Sequence, residues 1–220
     1  MRKHIITLSL LLLVTVSFAQ MQVAVGLKGG LNLSSFNVSY EASCCNEGKN
    51  YKSLLGYHAG VFASLKFNKL VVQPEILYSQ QGTKFAYSGW DSDDWQSDFT
   101  YINIPVLVKY SIVQTGIGDI TIQAGPQFGL LQKAETNFYD FDGDGAQERP
   151  KTDVKEDYKK SDLGLILGAG WDLPFGLSLD VRYNLGLQNI GSYEGDNGPK
   201  EIKNQVLQVS VGYKLLKFGR

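Results

Sequence analysis

Residues 175–188, FGLSLDVRYNLGLQ, alternate without a break. Leu177, Leu179, Val181, Tyr183, Leu185 and Leu187 share one parity, and Ser178, Asp180, Arg182, Asn184, Gly186 and Gln188 share the other. A period of two places these sets on opposite faces of a β-strand. The same alternation recurs near 22–33, 55–67, 70–82, 100–112, 119–131, 161–172 and 204–215, giving eight segments in all. Each reaches the 9–11 residues that a tilted strand needs to cross a bilayer.

The connections alternate in length. Asn68-Lys69, Gln114–Gly118 and Leu173–Gly176 are short, whereas about 34–54, 83–99, 132–160 and 189–203 are long and polar. An even strand count with long and short loops at opposite ends predicts an up-and-down antiparallel barrel: eight transmembrane strands, long extracellular loops, short periplasmic turns. Phe67, Tyr110, Trp171 and Tyr213 fall at the short-turn ends of the apolar face, and Tyr57, Tyr78 and Phe128 toward the other end. These are the positions of two interfacial aromatic bands. A secreted sandwich or lipocalin-like barrel would also have one apolar face, turned inward. The polar face here is instead rich in glycine and in charges of both signs, as an enclosed, crowded lumen requires.

The charges therefore point inward. Lys28, Glu75, Lys109 and Arg182 count to similar depths from the short-turn end, with Asp180 beside them. Buried charges need partners, so these five residues are expected to form one lumen network. Glu75 would take Lys109 on the neighbouring strand and Arg182 across the barrel. Such a network plugs a barrel of this size, or lines a narrow polar conduit or small-ligand site.

The first residues read as an export signal, residues 1–19: Arg2 and Lys3, an apolar run from Ile5 to Val16, then Ser17-Phe18-Ala19. Cleavage would leave residues 20–220 as the barrel domain. Losing Arg2 and Lys3 takes the 21 basic residues to 19, against 22 acidic ones. That balance gives no basic footprint for nucleic acid. Outer-membrane lipid and lipopolysaccharide are the expected surroundings, in the outer membrane of a bacterial cell.

Three further motifs carry candidate chemistry. Asp140, Asp142 and Asp144 with Gly145 match the start of a calcium loop, but Lys151 stands where the closing Glu belongs, so the reading is no cofactor beyond a weakly held calcium. Trp90 and Trp95, among Asp91, Asp93, Asp94 and Asp98, are expected at a loop tip as a contact surface for an extracellular glycan or protein. Cys44 and Cys45 are adjacent and suit no stapled framework. After the signal the only histidine is His58, expected in the lumen with Ser64 at unsuitable spacing for a nucleophile relay. The expectation is a protein that is not an enzyme.

The segments VVQPEILYSQQG (71–82), TYINIPVLVKY (100–110), IQAGPQFGLL (122–131), DLGLILGAGWDL (162–173) and LDVRYNLGLQNI (179–190) resemble the PorT-like family of small outer-membrane β-barrel proteins of Bacteroidetes-type bacteria. The resemblance runs from the signal to the C-terminus, through Gln73-Pro74-Glu75, Ile104 to Lys109, and Arg182-Tyr183. It implies an eight-stranded barrel in the outer membrane and no established reaction. The chain departs from the usual aromatic end of such barrels, since Phe218 stands two residues short of its last residue. The function expected is a scaffold presenting surface loops. The alternatives are a narrow porin-like channel for small solutes and an accessory component of a protein secretion system.

Overall fold

The computed structural model describes residues 21–39, 49–87, 94–142, 145–148, 150–192 and 201–219. Among the described residues there are ten strands: β1 (Gln22–Ser39), β2 (Lys49–Phe67), β3 (Leu70–Tyr87), β4 (Asp94–Thr115), β5 (Gly118–Asp142), β6 (Gly145–Glu148), β7 (Thr152–Asp153), β8 (Ser161–Asp172), β9 (Leu177–Gly186) and β10 (Glu201–Phe218). Eight of them form a closed antiparallel ring in the order β1-β2-β3-β4-β5-β8-β9-β10, with β10 pairing back onto β1. The short β6 and β7 hang on the outer end of β5. Closure pairs every strand of the ring on both sides and removes its edges.

The tight β2–β3 turn rests on Asn68, whose φ of 54° lies in the left-handed region that Asn tolerates. Gly176, at φ 98°, serves the β8–β9 turn in the same way.

The apolar parity faces outward throughout. Leu31, Leu55, Val106, Ile122, Leu167, Val181 and Val209 are exposed on the barrel wall, and the seven residues of both aromatic bands are exposed there too. The polar parity is buried. This is the inside-out distribution of a barrel whose solvent is lipid.

The structure corrects the strand lengths. β4 has 22 residues and β5 has 25, against 12 in β8 and 10 in β9. A crossing needs about 9–11, so β4 and β5 rise well beyond the outer face. Segments 34–39, 49–54, 83–87, 94–99 and 132–142, expected as loops, continue the strands. Above the membrane no lipid demands an apolar exterior, and the alternation that marks the lower strands fades. Trp95 accordingly stands in β4, opposite Phe85 and Phe138, instead of at a loop tip.

Candidate functional site

The lumen is built in tiers. At the outer end, Phe36, Phe99, Tyr101, Leu131, Ala134 and Ile190 form a buried apolar cluster inside the barrel. The segment before β8 continues the wall beside this cluster, bonded to β5 on one side and to the chain after β9 on the other. The Val154 N–H donates to the Ala134 carbonyl at 3.1 Å and the Lys159 N–H to the Ile190 carbonyl at 2.8 Å. Tyr158 pairs with Gly191 as a lone bridge and sets its ring edge-on to Phe99 at 4.7 Å. Val154, Tyr158 and Ile202 turn their side chains onto the cluster, so packed apolar side chains form a roof within the outer lumen.

Burial against that cluster, with Asp157 adding a like charge, pushes the Tyr158 phenol up to about 12 from its ordinary value near 10. The folded state holds the phenolic proton more tightly than the unfolded chain does. The roof's contribution is therefore complete below pH 10 and is lost as pH rises through about 12. A pH titration should show phenolate absorbance near pH 12 together with loosening of residues 150–160 to protease, and Tyr158→Phe should remove that absorbance step.

Beneath the roof lies a neutral polar tier. His58 Nδ1 donates to Asn32 Oδ1 at 2.7 Å, and its Nε2 accepts from the Ser210 hydroxyl at 2.8 Å. The tautomer follows from the Asn32 amide, whose Nδ2 donates to the Gln80 carbonyl at 2.8 Å and so leaves its oxygen to accept. Sequence spacing gave His58 no serine because the partner comes from β10, at the far end of the chain. The hydroxyl–imidazole–amide order is that of a nucleophile relay. All three residues are exposed by 2% or less, and here they tie β1, β2 and β10 together.

The charged tier follows. Arg182 makes a two-pronged pair with Glu75, Nη1 to Oε2 and Nη2 to Oε1, each at 2.8 Å. Lys28 bridges Glu75 at 3.0 Å and Asp180 at 2.7 Å. Lys109 reaches Asp180 at 3.4 Å and Asp172 at 3.1 Å. The Gln73 and Gln123 amides donate to Glu75 and Asp180 at 2.7 and 2.9 Å. Lys28, Lys109 and Arg182 thus face Glu75, Asp172 and Asp180, three charges of each sign, with almost no solvent contact except at Asp172.

Glycines make this tier fit. Lys28 is flanked in register by Gly60 and Gly212, Arg182 by Gly168, and Asp180 by Gly170. A Cβ on Gly168 would stand 2.5 Å from the Val181 carbonyl and 3.0 Å from Arg182 Cγ. The long side chains occupy the volume that their neighbours give up.

Lys28, Glu75, Lys109, Asp180 and Arg182 therefore meet, but one expected contact is replaced. Glu75 takes Lys28, not Lys109. Its partner position on β4 is Pro105, since Pro74 pairs with Val106, whereas Lys109 pairs with Val71. Four residues along a strand is about 13 Å, beyond direct pairing. Counting depth from the turns neglected the stagger that strand tilt imposes. Asp172, the sixth member, was missed although its parity and its place at the end of β8 put it within reach of Lys109.

Residues 1–20, Cys44, Cys45, Trp90, Asp91, Asp93 and Asp144 lie outside the described residues, as does the side chain of Asp94. Asp140 and Asp142 belong to β5 and pair with Gln147 and Gly145 of β6, so the backbone there is a β-hairpin. Their side chains also lie outside the description. Among the described residues, no group of three or more His, Cys, Asp or Glu is placed to hold a metal ion.

A closed eight-stranded ring with an apolar, aromatic-banded exterior and a charged interior defines an integral outer-membrane barrel. The chain belongs to the family described as "Outer membrane protein beta-barrel domain", whose model matches residues 18–191. A comparison with curated proteins gives no match. Among solved structures, the chain is similar to Neisserial surface protein A (14% identity, TM-score 0.43), covering 88% of this chain and 99% of that one. It is similar to the outer membrane protein OprG of Pseudomonas aeruginosa at 14% identity and TM-score 0.44, over 91% and 96% of the two chains. The attachment invasion locus protein Ail of Yersinia pestis gives 14% and 0.39 over 90% and 99%.

Proposed function

We propose that this protein is a closed, non-enzymatic scaffold of the outer membrane, whose roofed outer end and surface loops engage a protein or glycan partner outside the cell. The observation that carries the reading is the double obstruction of the lumen. An apolar cluster blocks its outer end, and a fully paired ionic tier lies below it. Eight strands leave an interior that side chains can fill, and here Phe62, Leu77, Leu107 and Ile166 join the polar groups in filling it. Within the outer-membrane family, the five quoted motifs support a PorT-like subgroup.

One observation favours a narrow conduit as the second reading. Buried amide atoms of Asn103, Gln123, Gln127, Asn184 and Gln208 have no protein partner, and water is the usual partner for such groups. Planar-bilayer recording of the refolded protein separates the two readings. The closed scaffold gives no steady current from a verified barrel, either as wild type or as Glu75→Gln. A steady wild-type current whose ion selectivity shifts with Glu75→Gln or Arg182→Gln overturns the scaffold reading and makes the tier a pore lining.

A further inference from the structure

Below the ionic tier the lumen widens toward the periplasm into a cavity of about 300 Å³. Two carboxylates line it, and each already has a cation. Asp119 holds Lys66 at 3.0 Å, and Asp172 holds Lys109 at 3.1 Å. Two further ammonium groups line the same cavity, those of Lys214 and Lys217. Among the described residues neither meets a carboxylate within ion-pair distance. Lys217 has only a 3.4 Å contact from its Nζ to the Pro174 carbonyl. Excess positive charge is thus concentrated in one concave space.

The backbone is bent to place it there. Lys217 stands three positions after Lys214, so plain alternation would send them to opposite faces. A bulge in β10, opposite Val25 and Gly26, changes the parity. Lys214 then pairs with Gly26, and Lys217 pairs with the buried, inward-facing Ala24. Bulges are devices for re-aiming side chains, and this one turns a second, exposed lysine to the periplasmic rim of the cavity.

An independent observation points to the same ligand chemistry. Ser64 and Ser111 line the cavity and are only 3% and 2% exposed. Neither hydroxyl has a hydrogen-bond partner among the described residues. Both hydroxyls open onto the cavity and are free to donate to a guest there. Spare donors and spare cations, beside carboxylates already neutralised, select an oxyanion.

We propose that this vestibule binds a small phosphate-type oxyanion from the periplasmic side. Lys214 and Lys217 supply the charge, and the Ser64 and Ser111 hydroxyls donate hydrogen bonds. Ammonium groups act as point charges that a tetrahedral anion accepts from several directions. The Lys109–Asp172 pair forms the ceiling, so the site is a terminus and not a step in a passage. The anion is either free phosphate or the phosphate of a larger ester, and the same donors serve both.

Titration calorimetry of the full-length refolded protein at low salt, with inorganic phosphate and separately with glycerol phosphate, tests this. Saturable binding is expected, weakened about tenfold or more by Lys214→Gln with Lys217→Gln and weakened by added salt. Ser64→Ala with Ser111→Ala should also weaken it while leaving the salt dependence intact. Tighter binding of the ester identifies a larger phosphate-bearing ligand, and preference for the inorganic ion identifies the free anion. Lys217→Gln alone, at the exposed end of β10, supplies a variant that leaves the barrel wall intact. Absence of saturable heat with both probes, or affinity unchanged in the lysine variants, overturns the proposal. Heat reports this site and current reports closure of the lumen, so either reading can fail without the other.

Discussion

Arg182→Met should destabilise the barrel by about 3–5 kcal/mol, the range seen when one partner of a buried pair is removed. Arg182 is the largest fully buried side chain, and it gives both prongs of its guanidinium to Glu75. Without it the tier holds two cations and three carboxylates, and Glu75 keeps only Lys28 and the Gln73 amide. Methionine fills similar volume, so the loss reflects charge and bonding more than a cavity. The double variant Arg182→Met with Glu75→Gln restores charge balance, with two cations facing Asp172 and Asp180. It should recover part of the loss, with a coupling of about 0.5–3 kcal/mol between the two sites. Urea unfolding in detergent micelles, followed by loss of the compact band on unheated gels, measures Arg182→Met, Glu75→Gln and the double variant. Additive losses would mean that the Arg182–Glu75 pair is energetically idle.

The balance of this tier explains why some of the molecule was legible in the sequence and some was not. Alternation exposed all eight spanning strands, because lipid on one side and a packed lumen on the other force opposite chemistry onto successive residues. The same parity put Lys28, Glu75, Lys109, Asp180 and Arg182 inside. It could not say which acid meets which base, since partners are set by shear between strands, and shear leaves no mark within any single strand. Glu75 accordingly meets Lys28, two strands away across Gly60, and not Lys109 of its neighbour. Parity also fails at bulges. Lys217 reads as outward-facing until the extra residue in β10 is counted. At the outer end the signal inverts: Phe36, Phe99 and Tyr101 occupy lumen positions with apolar side chains, because the roof makes that space dry. A pattern that equates polar with inside passes over them.

The second large effect belongs to Asn32, and its origin is a defect in the β2–β3 ladder. Ser53 pairs with Thr83 and His58 with Ser79, so four residues of β2 face three of β3 and the regular pairing lapses between them. Unpaired backbone groups inside a membrane cost several kcal/mol each when nothing satisfies them. Here side chains from β1 satisfy them from inside the lumen. The Asn32 amide donates to the Gln80 carbonyl at 2.8 Å and lies 3.3 Å from that of Tyr57. Ser34 Oγ donates toward the Gly82 carbonyl at 2.9 Å and accepts the Gly82 N–H at 2.8 Å. Asn32 Oδ1 meanwhile receives His58 Nδ1 and, at 3.2 Å, the Gln208 amide. Asn32→Ala strands two carbonyls and the imidazole donor at once, for an expected loss of about 3 kcal/mol or more. Ser34→Ala should cost about 1–3 kcal/mol. The decisive readout is local. Hydrogen exchange should accelerate at residues 54–57 and 79–83 in Asn32→Ala while β8 and β9 keep their protection. Uniform acceleration around the ring would assign Asn32 to general stability. No acceleration at the seam would show that the bulge closes without it.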